Sequence, residues 1–321
     1  MRVIAIMGVI LIHTTTRVLE RTSYNLEVYK SALFLNQIAR FAVPLFLIIS
    51  GFVLELTYKE NLNFWQYIKK RFSRIFIPYV FWSLIYYFLV FNQNHDNLVH
   101  VLLTGDASYQ LYFIPTLCIF YLIFPLLHKM YKYIVRPEFL ISLVILQLYV
   151  LRNDYFIKNI TLPDPLRISI LGFSFFIIGM IAAHNYEKIL EFSKKWKALL
   201  VILFVILGYY IFTESFSQYF ITYNINAFYS SWRPSTFIFT IISGLFFYSL
   251  FEKIDLYKFS KLSFLVFFIH AVVLEVVWRY YANFVSPNFY FDLIFFITVF
   301  GFSFLLAYII HKIPYLSKVT S

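Results

Sequence analysis

Ten runs of apolar residues, separated by short polar stretches, leave this chain almost no choice of fold. They lie near 2–16, 32–57, 75–92, 111–127, 138–151, 168–183, 198–213, 234–251, 262–278 and 291–310. Inside hydrocarbon every backbone polar group must be satisfied by the protein itself, so a span is either a helix of roughly 20 apolar residues or a strand of a closed barrel. Barrel strands alternate apolar and polar positions over roughly ten residues, whereas these runs are continuous. The chain therefore reads as an all-α, polytopic membrane protein with about ten transmembrane helices, forming a single domain over residues 1–321. At 61% apolar and 13% charged residues, the composition excludes a soluble globular domain and a disordered chain. The one cysteine, Cys118, excludes a disulfide scaffold.

A net charge of +11 suggests nucleic acid until its placement is examined. Ten spans put both termini on one side. Eighteen of the 27 Lys and Arg fall at the two ends and in the loops after spans two, four, six and eight, and eight fall in the opposite loops. Short cytoplasmic loops carry the basic excess in membrane proteins, so both termini are expected in the cytoplasm, with no nucleic-acid partner. The remaining one, Arg40, falls inside span two. Trp65, Tyr67, Trp196, Tyr209, Tyr210 and Trp278 cluster at span ends as interfacial anchors.

The first run is anomalous. Its uninterrupted apolar part extends only from Val3 to Ile12, and even Met1 to Thr16 as a helix covers about 24 Å of a hydrocarbon core of about 30 Å. A secretory signal would show a small-x-small cleavage pattern; here Thr14, Thr15 and Thr16 follow His13. The reading is a membrane span with a clipped or misassigned start, which an intact mass beginning at Met1 in protein from the native locus would rule out. Within this span Arg2 and His13 are eleven positions apart, three helical turns plus about 20°, so they share one stripe about 16 Å apart. Ionisable groups in a span normally face protein or water. The alternative is that Arg2 snorkels at one interface while His13 sits as a satisfied polar residue at the other.

Arg2, Ala5 and His13 in MRVIAIMGVILIH resemble the Arg-x10-His signature in the first span of the acyltransferase-3 family of membrane acyltransferases. Pro44-Leu45-Phe46 leading to Ser50-Gly51-Phe52 is similar to its second-span pattern. Lys70-Arg71-Phe72-Ser73-Arg74 followed by Ile75 and Pro78, Leu111-Tyr112-Phe113 with Pro125, and Ser263 with His270 resemble further family segments. The likeness covers essentially the whole chain. It departs at the start, where the family has several residues, one of them acidic, before the arginine. Within the family, Ile178-Gly179-Met180 through Asn185-Tyr186-Glu187 and the Ser-Phe-Leu-Val-Phe-Phe-Ile-His run are similar to intercellular-adhesion exopolysaccharide proteins of biofilm operons.

The resemblance implies transfer of an acetyl or other short acyl group from cytoplasmic acyl-CoA to a sugar hydroxyl. The acceptor it implies is a poly-N-acetylglucosamine-like surface glycan, made beside synthase or export machinery in a bacterial cell membrane. Arg71 and Arg74, one turn apart with Lys70 beside them, suit the phosphates of the donor, acetyl-CoA being the expected one, and Arg2 stands where the donor's arm would enter. The competing reading of this basic cluster is topology and anionic headgroups. His13 is the candidate base or transient acyl carrier. By depth, Glu275 pairs with Arg40 or orients His13. His270, five residues from Glu275, points to another face and reads as packing or cavity lining. Glu55 reads as structural, neutralising a nearby basic residue.

On the acceptor side stand Arg40 and, in the outer loops, Asp164, Trp232 and Arg233, because carboxylates and aromatic faces suit sugar rings; as an interfacial aromatic, Trp232 equally reads as an anchor. No metal is expected, since His95, His100, Asp96 and Asp106 lack compact ligand spacing, and there is no Walker loop, dinucleotide fingerprint or nucleophile elbow. Two functions remain: an O-acyltransferase acting on a glycan, or an exporter in which the same charged stripe lines a transport path.

Overall fold

A computed structural model describes residues 1–21, 26–59, 63–91, 97–157, 162–222, 230–282 and 289–313. His95, Asp96, Lys158 and Lys318 lie outside the described residues. Within them every regular element is helical. These are α1 (Arg2–Arg21), α2 (Leu26–Ile38), α3 (Ala42–Thr57), α4 (Phe64–Ile85, continued by a π turn Tyr86–Val90), α5 (Leu98–Thr104) and α6 (Phe113–Lys129). There follow α7 (Tyr131–Ile134), α8 (Pro137–Ile157), α9 (Asp164–Leu171), α10 (Phe173–His184), α11 (Tyr186–Lys195), α12 (Lys197–Thr222), α13 (Pro234–Leu250), α14 (Tyr257–Tyr281) and α15 (Phe289–Lys312).

Each expected run falls on a helix or a broken helix pair, and the chain is a multi-pass membrane protein. Length and composition alone support six crossings: Arg2–Glu20, Tyr29–Thr57, Phe64–Val90, Lys197–Gln218, Tyr257–Tyr281 and Tyr290–Lys312. A seventh is added if α9 and α10, bent by 52°, count as one span. Helices α6 and α13 have 17 residues each and so cover only about 25 Å. Helix α8 carries Glu138, Arg152 and Asp154.

The shortfall in the first span disappears because α1 continues through the three threonines. Thr14 Oγ1 donates to the Ile10 carbonyl (3.0 Å) and Thr15 Oγ1 to that of Leu11 (2.6 Å), so both hydroxyl protons are used inside the helix. At 20 residues, α1 spans about 30 Å. The second span is broken instead. Pro44 has no N–H to offer the Arg40 carbonyl, and the chain turns between α2 and α3 with Arg40 N–H on the Gln37 carbonyl and Ala42 N–H on that of Ala39, both 3.0 Å. The turn sets Arg40 inside an apolar span.

The chain forms two compact units. The first comprises Met1–Phe46 and Asn185–Leu306. In it α1 packs on α2 and α14, and α12 on α2 and α13. Phe41, Phe204, Phe239 and Phe247 make its aromatic core, with ring centroids 5.2 to 6.1 Å apart. The outward face of α12 exposes Val201, Ile202, Val205 and Ile206, as a lipid-facing surface should.

The second unit comprises Leu47–His184 and Ala307–Ser321. Here α6 packs on α4 and α9, and α10 on α8. Helices α3 and α10 cross at two glycines: a Cβ on Gly51 would strike the Phe176 carbonyl, and one on Gly179 the Ile48 carbonyl. At the bend between α9 and α10, Gln147 donates to the Leu171 carbonyl (3.0 Å) and accepts from Ser174 Oγ (2.9 Å) and N–H (3.2 Å). That one amide satisfies backbone groups the broken helix would leave bare.

Candidate active site

Polar side chains of the first unit gather around His13. Asn36, one turn before the break in span two, donates through Nδ2 to the Ile12 carbonyl (3.1 Å) and to the hydroxyls of Thr15 and Thr16 (3.0 Å each). It thereby clamps α2 to α1 at the residue preceding His13. Arg40 is buried, donates to Asn36 Oδ1, and lies close enough for its charge to act on His13. From α14, His270 stacks on His13 with ring centroids 5.4 Å apart and planes 27° from parallel. His270 is fully buried, and its Nδ1 lies 3.2 Å from the Val266 carbonyl.

The network continues outward from Asn36. Gln37 Nε2 donates to Asn36 Oδ1 (3.3 Å), while Gln37 Oε1 accepts from Ser215 Oγ (2.9 Å) and from Arg233 Nη2 (2.6 Å). Arg233 also donates to Ser215 Oγ (2.6 Å) and lies 3.5 Å from Glu214, whose carboxylate accepts from Ser235 (2.6 Å). A guanidinium is tolerable in an apolar interior only with such partners.

Several sequence expectations change here. Glu275 forms an ion pair with Arg17 rather than Arg40, and it does not bond His13. Depth along α14 is compatible with Arg40, but the carboxylate meets α1, one turn beyond His13, and Arg40, in the turn after α2, bonds back to Asn36 on that helix. Arg2 shares a stripe with His13 on α1, yet its side chain is exposed while His13 is half-buried. Trp232 and Arg233, expected at an outer surface, are both buried, at 7% and 0% exposure, because the start of α13 is packed into the polar network. His270, read as packing or cavity lining on a different face from Glu275, is buried as expected, and the ring it packs on is that of His13. Arg17 is expected only as a cation of an outer loop, and Asn36 and Gln37 carry no expectation, although adjacent amides inside an otherwise apolar span are a signal.

In the second unit, Arg71 Nη2 donates to Thr57 Oγ1 (2.7 Å) and its guanidinium lies 5.9 Å from the Tyr67 ring centre. Lys70 and Arg74 are exposed on the same helix. Glu55 is buried and takes His128 Nδ1 (2.9 Å) and His184 Nε2 (2.8 Å) on one oxygen, in place of the basic neighbour the sequence suggested. Asp164 is exposed and 3.5 Å from Arg167, which is held bidentately by buried Asp154 (2.7 and 2.8 Å). Asp154 is thus the structural carboxylate of the pair and Asp164 the accessible one.

A family model described as an acyltransferase domain, that of acyltransferase 3, matches residues 1–312. A protein of Staphylococcus aureus strain MSSA476, named a probable poly-beta-1,6-N-acetyl-D-glucosamine export protein, is 24% identical over 267 residues, 77% of this chain and 73% of its own. One of the same name from Staphylococcus epidermidis is 26% identical over 291 residues, 85% of this chain and 79% of its own. No solved structure matches.

Proposed function

The chain belongs to the acyltransferase-3 family, and on that premise we propose that it moves an acetyl or other short acyl group from acyl-CoA to a hydroxyl of a poly-N-acetylglucosamine-like glycan. The observation that supports this most is the placement of His13: half-buried in a membrane helix, stacked on a second imidazole and under the charge of Arg40. Thioester-to-alcohol transfer needs a base and a positive charge. His13 takes the hydroxyl proton as the oxygen attacks the thioester carbonyl. Arg40 stabilises the charge that builds on the carbonyl oxygen. As the carbon–sulfur bond breaks, the leaving thiolate recovers the proton from the imidazolium, so the base is regenerated.

Arg71 and Arg74, with Lys70, hold donor phosphates, and Arg2 guides the donor at the cytoplasmic end of α1. Asp164, Trp232 and Arg233 serve the acceptor, Asp164 from an exposed position and Arg233 from the polar network of the first unit. Glu275 serves the base indirectly, since its bond to Arg17 fixes α1 against α14.

The test is transfer from labelled acetyl-CoA to a β-1,6-linked N-acetylglucosamine oligosaccharide by the purified full chain in liposomes. His13→Ala is expected to lower the rate by about 10²- to 10⁴-fold. Arg71→Ala with Arg74→Ala is expected to weaken acetyl-CoA binding by calorimetry. Because the named relatives are described as export proteins, the second reading is glycan translocation without chemistry. Under it, His13→Ala in cells stops glycan reaching the surface and leaves its acyl content unchanged. Under the transferase reading the glycan still arrives, without its acyl groups.

A further inference from the structure

His270 has properties that packing does not require. Its side chain is fully buried, and a carbonyl only accepts, so the 3.2 Å contact with Val266 puts the ring hydrogen on Nδ1. Nε2 of the neutral ring is then a bare lone pair, and among the described residues it meets no hydrogen-bond partner. A phenylalanine would fill the same space without burying an unsatisfied acceptor, which is unfavourable. The ring carrying this lone pair is the one stacked 5.4 Å from His13.

We propose that His270 Nε2 binds the acyl acceptor, accepting a hydrogen bond from the hydroxyl next to the one that is acylated. The proposal rests on the transferase reading and deepens it by naming the recognised group, a vicinal diol. In a β-1,6-linked chain of 2-acetamido-glucose, positions 1 and 6 are used by the linkage and position 2 by the amide. Each internal unit therefore keeps two free hydroxyls, O3 and O4, and they are neighbours. Two imidazoles lying face to face offer two ring edges to two adjacent oxygens. His13 serves the oxygen that attacks, and His270 the one that stays. Nε2 is closed to solvent in the structure, so binding requires the side chains around that ring edge to give way.

The test compares kcat/KM for acetyl transfer from acetyl-CoA to a β-1,6-linked N-acetylglucosamine oligosaccharide and to its 3-deoxy and 4-deoxy forms. One deoxy form is expected to be inert, which identifies the acylated oxygen. The other should lose roughly 10- to 100-fold, because a site built to bind a hydroxyl rejects the analogue lacking it. His270→Phe should lose a similar factor on the parent sugar and show no further loss on the reactive deoxy form, since both changes remove one bond. Full-rate transfer to the reactive deoxy sugar by the wild type overturns the proposal without any variant. So does wild-type kcat/KM in His270→Phe, or an effect confined to the KM of acetyl-CoA, which would give the nitrogen to an amide N–H of the donor's arm. No transfer by the wild type, or an unimpaired His13→Ala, sinks the transferase reading as well. Loss in His13→Ala with no effect of His270→Phe sinks the diol contact alone.

Discussion

Arg17 and Glu275 are 26% and 17% exposed, so their ion pair is neither screened like a surface bridge nor sealed like a core one. Removing one partner leaves the other charge half-buried in a span. Arg17→Met or Glu275→Gln is expected to cost roughly 1–3 kcal/mol, measured as the unfolding midpoint in detergent. The double variant should cost no more than the worse single one, because the pair loses only one shared interaction. A double loss equal to the sum would dissolve the pairing. The same pair marks the limit of reading residues from sequence. Spacing put His13 on one stripe with Arg2, and an acid at matching depth could be found, since depth follows from counting along a helix. Azimuth relative to a neighbouring helix does not follow from counting. Counting therefore leaves Glu275 to pair with Arg40 or to orient His13, and it does not show that Glu275 meets Arg17 or that His270 faces His13.

Helices differ in how much a single backbone position governs them. Gly179 and Gly301 both lie in apolar helices, and sequence does not tell them apart. A Cβ on Gly179 would run into the backbone of α3, which cannot yield, whereas one on Gly301 meets nothing within 4 Å. Gly179→Ala should destabilise by about 3 kcal/mol or more through overpacking, while Gly301→Ala should be neutral or stabilising by up to about 1 kcal/mol from helix propensity. Comparing their melting curves checks both. Pro44 acts on position rather than stability. With alanine there, a backbone N–H becomes available to the Arg40 carbonyl and the helix can run on through the turn. Pro44→Ala is expected to lower acyl transfer at least several-fold while leaving the melting midpoint unchanged or higher, because Arg40 leaves the neighbourhood of His13. The apolar runs make the helices legible, but not the break at 39–41: a proline in the middle of the 32–57 run kinks a helix as readily as it ends one, and the sequence does not say which.

Over the whole molecule, three helix ends meet on one carboxylate: Glu55 near the end of α3, His128 near that of α6 and His184 at that of α10. These are the ends of the second, fourth and sixth expected spans, which an alternating path puts on one side, the side that the basic loops assign to the cytoplasm. Single cysteines on a Cys118→Ser background, probed with a membrane-impermeant maleimide, test that path. Lys132→Cys and Lys188→Cys should react only after permeabilisation, whereas Arg152→Cys and Tyr280→Cys should react in intact cells. Each neighbouring pair isolates one doubtful crossing. Lys132 and Arg152 lie on opposite sides only if the charge-bearing α8 spans the bilayer, and Arg152 and Lys188 only if the bent α9 and α10 cross as one. If Arg152→Cys behaves like Lys132→Cys, α8 does not cross and ten helices are too many. If all four positions exchange sides, the basic loops face outward, and Arg71 with Arg74 lies where no cytoplasmic donor can reach.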